Sequence, residues 1–283
     1  MSLYRASQRQ SVDISGYVPL SVLAIGEGPP LLLLHGFTGD LSAWGDVPLR
    51  LARSHRVVVP DLPGHGASSP SHDPADYEPD RLSRHLALMM EQVAPGPATW
   101  VGYSMGGRIA LHAVASGAVR PQALILESAS PGLLTDDERA ERQAADAVWI
   151  ERLESQGITA FVDAWMAQPL FASQQLALPE LVVTAERRRR LQADPQALAA
   201  CLRGCGTGAQ PSWWAELATL DLPALLINGA LDTKFDGIAE AMASQWTKAL
   251  RARVAGAGHS VHLEKPEAWL AAVASFLDGL SAS

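Results

Sequence analysis

The run Val101–Arg108, VGYSMGGR, sets a serine between two glycines at G-x-S-x-G spacing. On a tight turn from strand to helix, such a hydroxyl is held clear of its own backbone and aimed at a carbonyl compound, so Ser104 is the first candidate for chemistry. Gly102 and Gly106 suit that turn, because a Cβ at either place would collide with the adjoining strand and helix. The hydroxyl needs a base, and the base needs a carboxylate to orient it. Asp232 in NGALDTKF and His259 in GAGHSVHLEKP complete the order Ser, Asp, His, each following an apolar run. Loops at the carboxyl ends of strands are where open α/β sheets gather their sites. His262 is the rival base, but the Gly-His step suits a tight post-strand loop better at His259. The backbone amides of Phe37, in HGFTGD, and of Met105, directly after the serine, are placed to form an oxyanion hole. His65 in DLPGHGAS is read as structural, since the base is already supplied.

Cations accompany this set. Arg108 lies four residues past Ser104, so on a helix starting at the serine the two share a face, with Cβ atoms about 5–6 Å apart. A guanidinium there suits a substrate carboxylate; an ion pair to an acid on a neighbouring element would explain it equally well. Lys234 falls on the side of Asp232 if that loop is extended, with a solvated loop lysine as the alternative. Arg142 has Glu138 and Asp146 at i−4 and i+4, enough for intrahelical pairing. Arg187 to Arg190 form mostly a solvated face, because four consecutive helical residues cannot all point one way; at most one or two reach inward.

The elements that must position these groups are legible as apolar runs at 21–25, 30–35, 56–61, 98–103, 123–128, 224–229 and 252–258. Most lack period-two alternation, as expected of strands buried on both faces of a parallel sheet. Helical stretches at 80–94 and 106–117 alternate with them, which predicts an α/β fold with a mainly parallel, doubly wound sheet. From Pro131 to about Leu220 no strand is evident. A Thr135–Glu138 capping box opens a helix that stops at Gly157, and further helical segments follow. So long a stretch is not a structureless loop. It reads as a helical lid at 131–220, inserted into a core of residues 1–130 and 221–283.

Bulk properties limit the partners. The chain has 283 residues, 22 basic and 30 acidic, for a net charge of −8. That balance argues against nucleic acid and anionic membranes and for a small-molecule partner. Cys201 and Cys205, the only cysteines, make a poor zinc site and are read as reduced thiols on a helix. No metal or cofactor is expected. No signal-peptide core or membrane-length apolar run is present, so the expected location is cytoplasmic. Oligomeric state leaves no mark in the sequence.

HGF, DLPGHG, GYSMGG, the aspartate after a late strand and GHxxHLExP together resemble the α/β-hydrolase superfamily across the whole core. That implies an eight-stranded, mainly parallel sheet flanked by helices, with a cap. A narrower resemblance includes the lid: GYSMGGR, ERQAADAVW, FVDAWMAQPLFAS, RRLQADPQALAACLRG, LDTKF and AGHSVHLEKP are similar to the 2-succinyl-6-hydroxy-2,4-cyclohexadiene-1-carboxylate synthases of menaquinone and phylloquinone biosynthesis. It implies a lyase that eliminates pyruvate from 2-succinyl-5-enolpyruvyl-6-hydroxy-3-cyclohexene-1-carboxylate, a tricarboxylate, by proton abstraction beside a ketone. Ser104, Asp232 and His259 would be its triad; Tyr103, Arg108, Arg142, Trp165, Arg190 and Lys234 would line its pocket. One departure stands out: the family tryptophan is usually followed by tyrosine, whereas Met166 follows Trp165 here. The alternative is a serine hydrolase of an ester, thioester or carbon–carbon bond with an anionic acyl group.

Overall fold

A computed structural model describes Tyr4 and residues 8–281. Eight strands form one sheet: β1 (Arg9–Val12), β2 (Leu20–Ile25), β3 (Pro30–Leu34), β4 (Arg56–Pro60), β5 (Thr99–Tyr103), β6 (Ala123–Glu127), β7 (Ala224–Gly229) and β8 (Ala249–Val254). Their order across the sheet is β1-β2-β4-β3-β5-β6-β7-β8, antiparallel only at β1–β2 and β2–β4. The helices are α1 (Val47–Leu51), α2 (Pro79–Val93), α3 (Met105–Ala115), α4 (Asp136–Met166), α5 (Ala172–Ala177), α6 (Glu180–Arg190), α7 (Pro195–Cys205), α8 (Thr233–Gln245), α9 (Val261–Glu264) and α10 (Pro266–Ser281).

The continuous apolar runs are explained by burial on both faces. Leu31 and Leu33 of β3 join Val57, Val101, Trp44 and Trp269 in one apolar layer, while Leu32 and Leu34 join Val58, Trp100, Met89 and Ile109 in the other. Two expectations need correction. The edge strand β1 escaped the apolar pattern because Val12 is its only buried side chain. The last strand starts at Ala249 rather than Ala252 and ends at Val254, with a turn at 255–256 and irregular backbone at 257–258, because an edge strand buries too little to show its register.

Between β6 and β7 all the regular structure is helical. The Thr135–Glu138 capping box opens α4, and Gly157 breaks it with φ 78°, a value that suits glycine. The two arms of α4 meet α7 and Phe171 in a separate apolar cluster containing Leu153, Phe161, Trp165 and Leu198. Cys201 and Cys205 are buried free thiols on α7, and Cys201 Sγ touches Met105 Sδ at 3.7 Å. That contact seats the helical segment directly over the start of α3. Among the described residues no helix is long and apolar enough to cross a membrane, and no group of three or more His, Cys, Asp or Glu is disposed to hold a metal.

Two buried imidazoles tie the loops after β3 and β4 together. His35 Nδ1 donates to Gly36 O, and its Nε2 accepts from Leu62 N at 3.0 Å, which requires a neutral ring. His65 Nδ1 donates to Pro63 O, and its Nε2 is buried with no partner among the described residues. Burial pushes the His65 pKa from 6.5 down to about 4. Because the folded value lies below the unfolded one, this contribution to stability is complete above pH 6.5 and is lost as pH falls toward 4. It amounts to something on the order of 3 kcal/mol. Urea unfolding at pH 7 and pH 4.5 should show this loss, and His65→Gln should flatten the pH dependence; an unchanged slope would show that other groups set the acid limit.

Candidate active site

Ser104 sits between β5 and α3 with φ 51° and ψ −111°, strained backbone for a residue with a side chain. Its own N–H is anchored on Glu127 O at 2.8 Å. Closeness is the reason for the glycines: a Cβ on Gly106 would stand 2.3 Å from Leu34 O, and one on Gly102 would stand 2.5 Å from the Gly106 carbonyl. The turn can therefore press α3 against both β3 and β5.

His259 Nε2 lies 3.0 Å from Ser104 Oγ, and His259 Nδ1 lies 2.7 Å from Asp232 Oδ2. The carboxylate only accepts, so Nδ1 carries the proton and the Nε2 lone pair faces the serine hydroxyl. The other oxygen of Asp232 accepts Phe235 N–H at 3.2 Å and caps α8. His259 is buried, packed against the rings of Phe235 and Tyr103. A residue that the sequence reading missed holds its loop. Glu264, buried, accepts Gly258 N–H at 2.7 Å and Ser260 N–H at 3.2 Å, the two amides on either side of His259. The only signal for it was the acid in HLEKP. His262 is engaged elsewhere, with Nδ1 at 2.8 Å from Glu127 and Nε2 at 3.2 Å from Ala43 O.

Ser104 and His259 open onto two adjoining spaces. The larger, about 670 Å³, is walled by Phe37, Met105, Trp165 and the helical segment, and carries Arg108, Arg142 and Lys234. The smaller, about 50 Å³, lies on the other side of Ser104 and contains Tyr103 and Arg190. Met105 is the first residue of α3, where amides have no intrahelical acceptor. Phe37 lies in a turn closed by Gly39 N to Gly36 O at 2.9 Å.

The cations differ in how far they are neutralised. Arg108 donates to Gln210 Oε1 at 3.0 Å and Cys205 O at 2.9 Å, both uncharged, and no carboxylate pairs with it among the described residues. The ion-pair explanation therefore does not hold for it. Lys234 is exposed at the cavity rim and also has no acidic partner among the described residues. The extended loop that would put it on the side of Asp232 is not present: Asp232 caps a helix there, and Lys234 falls in its first turn, where a cation is unfavourable for the helix itself. Arg142 pairs with buried Asp146 at 2.9 Å, the intrahelical contact, while still lining the cavity. Of the four consecutive arginines, Arg187 and Arg188 face solvent, whereas Arg189 and Arg190 turn inward. Arg190 is buried beside Glu186. Tyr103 OH is within 2.5 Å of Ser260 Oγ, which also accepts from Gln174 Nε2 at 2.7 Å, and burial holds the phenol protonated well above its ordinary range. The Trp165 indole N–H is buried without an acceptor among the described residues. Met166 packs with the apolar cluster of the helical segment.

Residues 29–266 match the model of the alpha/beta hydrolase fold family. An Escherichia coli (strain K12) protein named 2-succinyl-6-hydroxy-2,4-cyclohexadiene-1-carboxylate synthase is 34% identical over 88% of this chain and 94% of its own length. A Bacillus subtilis (strain 168) protein named "Putative 2-succinyl-6-hydroxy-2,4-cyclohexadiene-1-carboxylate synthase" is 36% identical over 90% of this chain and 93% of its own. The solved structure of MenH from S. aureus superposes with a TM-score of 0.87 at 31% identity, covering 93% of this chain and 98% of that one. The chain accordingly belongs to the α/β-hydrolase fold family and, within it, to the family of the 2-succinyl-6-hydroxy-2,4-cyclohexadiene-1-carboxylate synthases.

Proposed function

We propose that this chain is a lyase that eliminates pyruvate from 2-succinyl-5-enolpyruvyl-6-hydroxy-3-cyclohexene-1-carboxylate, giving 2-succinyl-6-hydroxy-2,4-cyclohexadiene-1-carboxylate for menaquinone or phylloquinone synthesis. One observation carries the reading beyond the family: Arg108, a guanidinium with no carboxylate partner among the described residues, lines the cavity one helical turn from Ser104. A half-buried charge of this kind is stabilised by an anionic ligand, and the substrate has three carboxylates. Arg142, Lys234 and the Trp165 N–H extend the anion-binding wall, and Tyr103 and Arg190 serve the smaller space behind the serine. Residues 131–220 form the cap over it. The setting is cytoplasmic, with a small polycarboxylate as partner and no cofactor.

In this scheme Asp232 holds His259 with its proton on Nδ1. His259 Nε2 draws the Ser104 proton, and Ser104 Oγ takes the hydrogen from the carbon next to the succinyl ketone. The electron pair left behind moves onto the ketone oxygen, where the N–H groups of Phe37 and Met105 receive the charge. Return of that pair forms a double bond between ring carbons 2 and 3, the existing double bond between carbons 3 and 4 shifts to carbons 4 and 5, and the carbon 5–oxygen bond breaks; the enolpyruvate released takes up a proton on its methylene carbon and becomes pyruvate. Serine acts as a base because the anchored carboxylates present it with a C–H and not with an acyl carbon.

Incubation with the enolpyruvyl substrate, with pyruvate followed by a coupled dehydrogenase, tests the reading. Chelators should leave the rate unchanged. Ser104→Ala should abolish turnover. Arg108→Met should lower kcat/KM by about two orders of magnitude or more, given ~2–5 kcal/mol for a buried charge contact, with an unchanged thermal midpoint. Activity within a few-fold of the parent would remove Arg108 from the site. An acyl adduct on Ser104, trapped during turnover and seen by mass spectrometry, would instead establish ester or thioester hydrolysis.

A further inference from the structure

The turn that presents the Phe37 amide is built against local preference. Gly39 N–H closes it on Gly36 O at 2.9 Å, and its third residue, Thr38, has φ 62°. A positive φ at this position normally selects glycine or asparagine, and a β-branched residue there is an outlier. Thr38 is buried, so solvent does not relieve it.

What holds it comes from the helical segment. Arg189 Nη1 donates to Thr38 O at 2.9 Å, and Arg190 Nε donates to Thr38 Oγ1 at 3.1 Å. Two consecutive residues at the end of α6 thus grip one strained residue through its carbonyl and its hydroxyl. Arg190 is buried and Arg189 mostly so, and both are paired. Arg189 Nη2 meets Glu186 Oε2 at 2.5 Å and its Nε lies 3.9 Å from Asp40 Oδ1, while Arg190 Nη1 lies 3.1 Å from Glu186 Oε2. Asp40 is itself fixed as the cap of the short 3-10 helix that follows the turn, accepting from Ser42 N. Two arginines thus face two carboxylates. Arg189 differs from Arg108 in this respect, because its charge is already answered by protein. Glycine at position 38 would be free of strain but would have no hydroxyl for Arg190. Threonine there is explained if the grip matters more than local ease.

We propose that Arg189 is a positioning residue: through Thr38, and with Arg190 on the same residue, it clamps the turn so that the Phe37 N–H points at the developing oxyanion. The inference rests on the proposed role of that amide. It makes the oxyanion hole a joint product of the sheet and the helical segment, complete only when α6 is packed on the loop after β3.

Three variants of the full-length protein test it. Arg189→Met keeps bulk and removes the donor; its kcat for pyruvate formation should fall about ten-fold or more with KM little changed, as when an oxyanion donor is misplaced. Arg189→Lys, which can still donate to Thr38 O, should recover most of the loss. Thr38→Gly removes the strain and the hydroxyl together and leaves every charge in place. It should melt within a few degrees of the parent yet turn over several-fold more slowly, a separation that a purely structural role would not produce. A neutral p-nitrophenyl phosphonate ester, whose phosphoryl oxygen needs the hole but no cation, should label Ser104 more slowly in Arg189→Met and Thr38→Gly. Parental kcat and labelling in both variants, or a rise in KM alone, would overturn the clamp. Phe37→Pro, tolerated at the second position of such a turn, deletes the amide proton itself. If it labels and turns over at the parental rate, the amide has no part and the clamp falls with it. A slow Phe37→Pro beside parental Thr38→Gly and Arg189→Met removes only the clamp.

Discussion

The close approach of the Ser104 turn to the backbone of β3 is the constraint from which the site follows. With no side chain at Gly102, Gly106 or Gly107, the first turn of α3 lies against the Leu34 carbonyl and Ala129, nearer than any Cβ would permit. One compact turn then delivers three groups: a hydroxyl displaced from its own strand, the free amide of Met105, and, one turn on, the Arg108 guanidinium. Their relative positions are set by helical geometry, not by flexible loops, so little ordering is left to be done when a ligand binds.

Charge is distributed with the same economy. The chain carries a net charge of −8, yet the walls around Ser104 hold cations. Some are neutralised: Arg189 and Arg190 by Glu186, Arg142 by Asp146. Arg108 and Lys234 are not, among the described residues, and both line the larger cavity. Arg189 and Arg190 join α6 to the loop after β3, while Arg142 is paired and still lines the larger cavity. The buried histidines follow a parallel division. His35 and His65 are held neutral by burial and serve as loop ties, whereas His259 has a carboxylate on one nitrogen and a hydroxyl on the other, the arrangement for moving a proton.

A Ser-His-Asp chain of this geometry does not by itself specify hydrolysis. The reaction depends on which substrate atom is brought to the serine oxygen, and that is decided by groups outside the triad. The cations that line the two spaces at Ser104 come from α3, α4, α6 and α8. Under the proposed function, a division of labour between a proton-moving chain and an anion-binding wall would let the fold that serves hydrolases serve a lyase.

Much of this was legible in the sequence because its causes are local. The elbow glycines, the order Ser104, Asp232, His259, the buried strands and the Thr135 capping box each depend on a few adjacent residues and so leave a pattern. Strand β1 and the start of β8 did not, since edge strands bury too few side chains to show a period. The local conformation at Lys234 stayed open because nothing local revealed that Asp232 would cap a helix. Only the tertiary structure decided that Arg108 lacks a carboxylate partner among the described residues, that Glu264 brackets the His259 loop, and that Arg189 reaches Thr38 across 151 residues. Sequence determines a side chain's type and its place on an element; whether its charge meets a carboxylate, a carbonyl or an open cavity depends on distances between elements that no local pattern records.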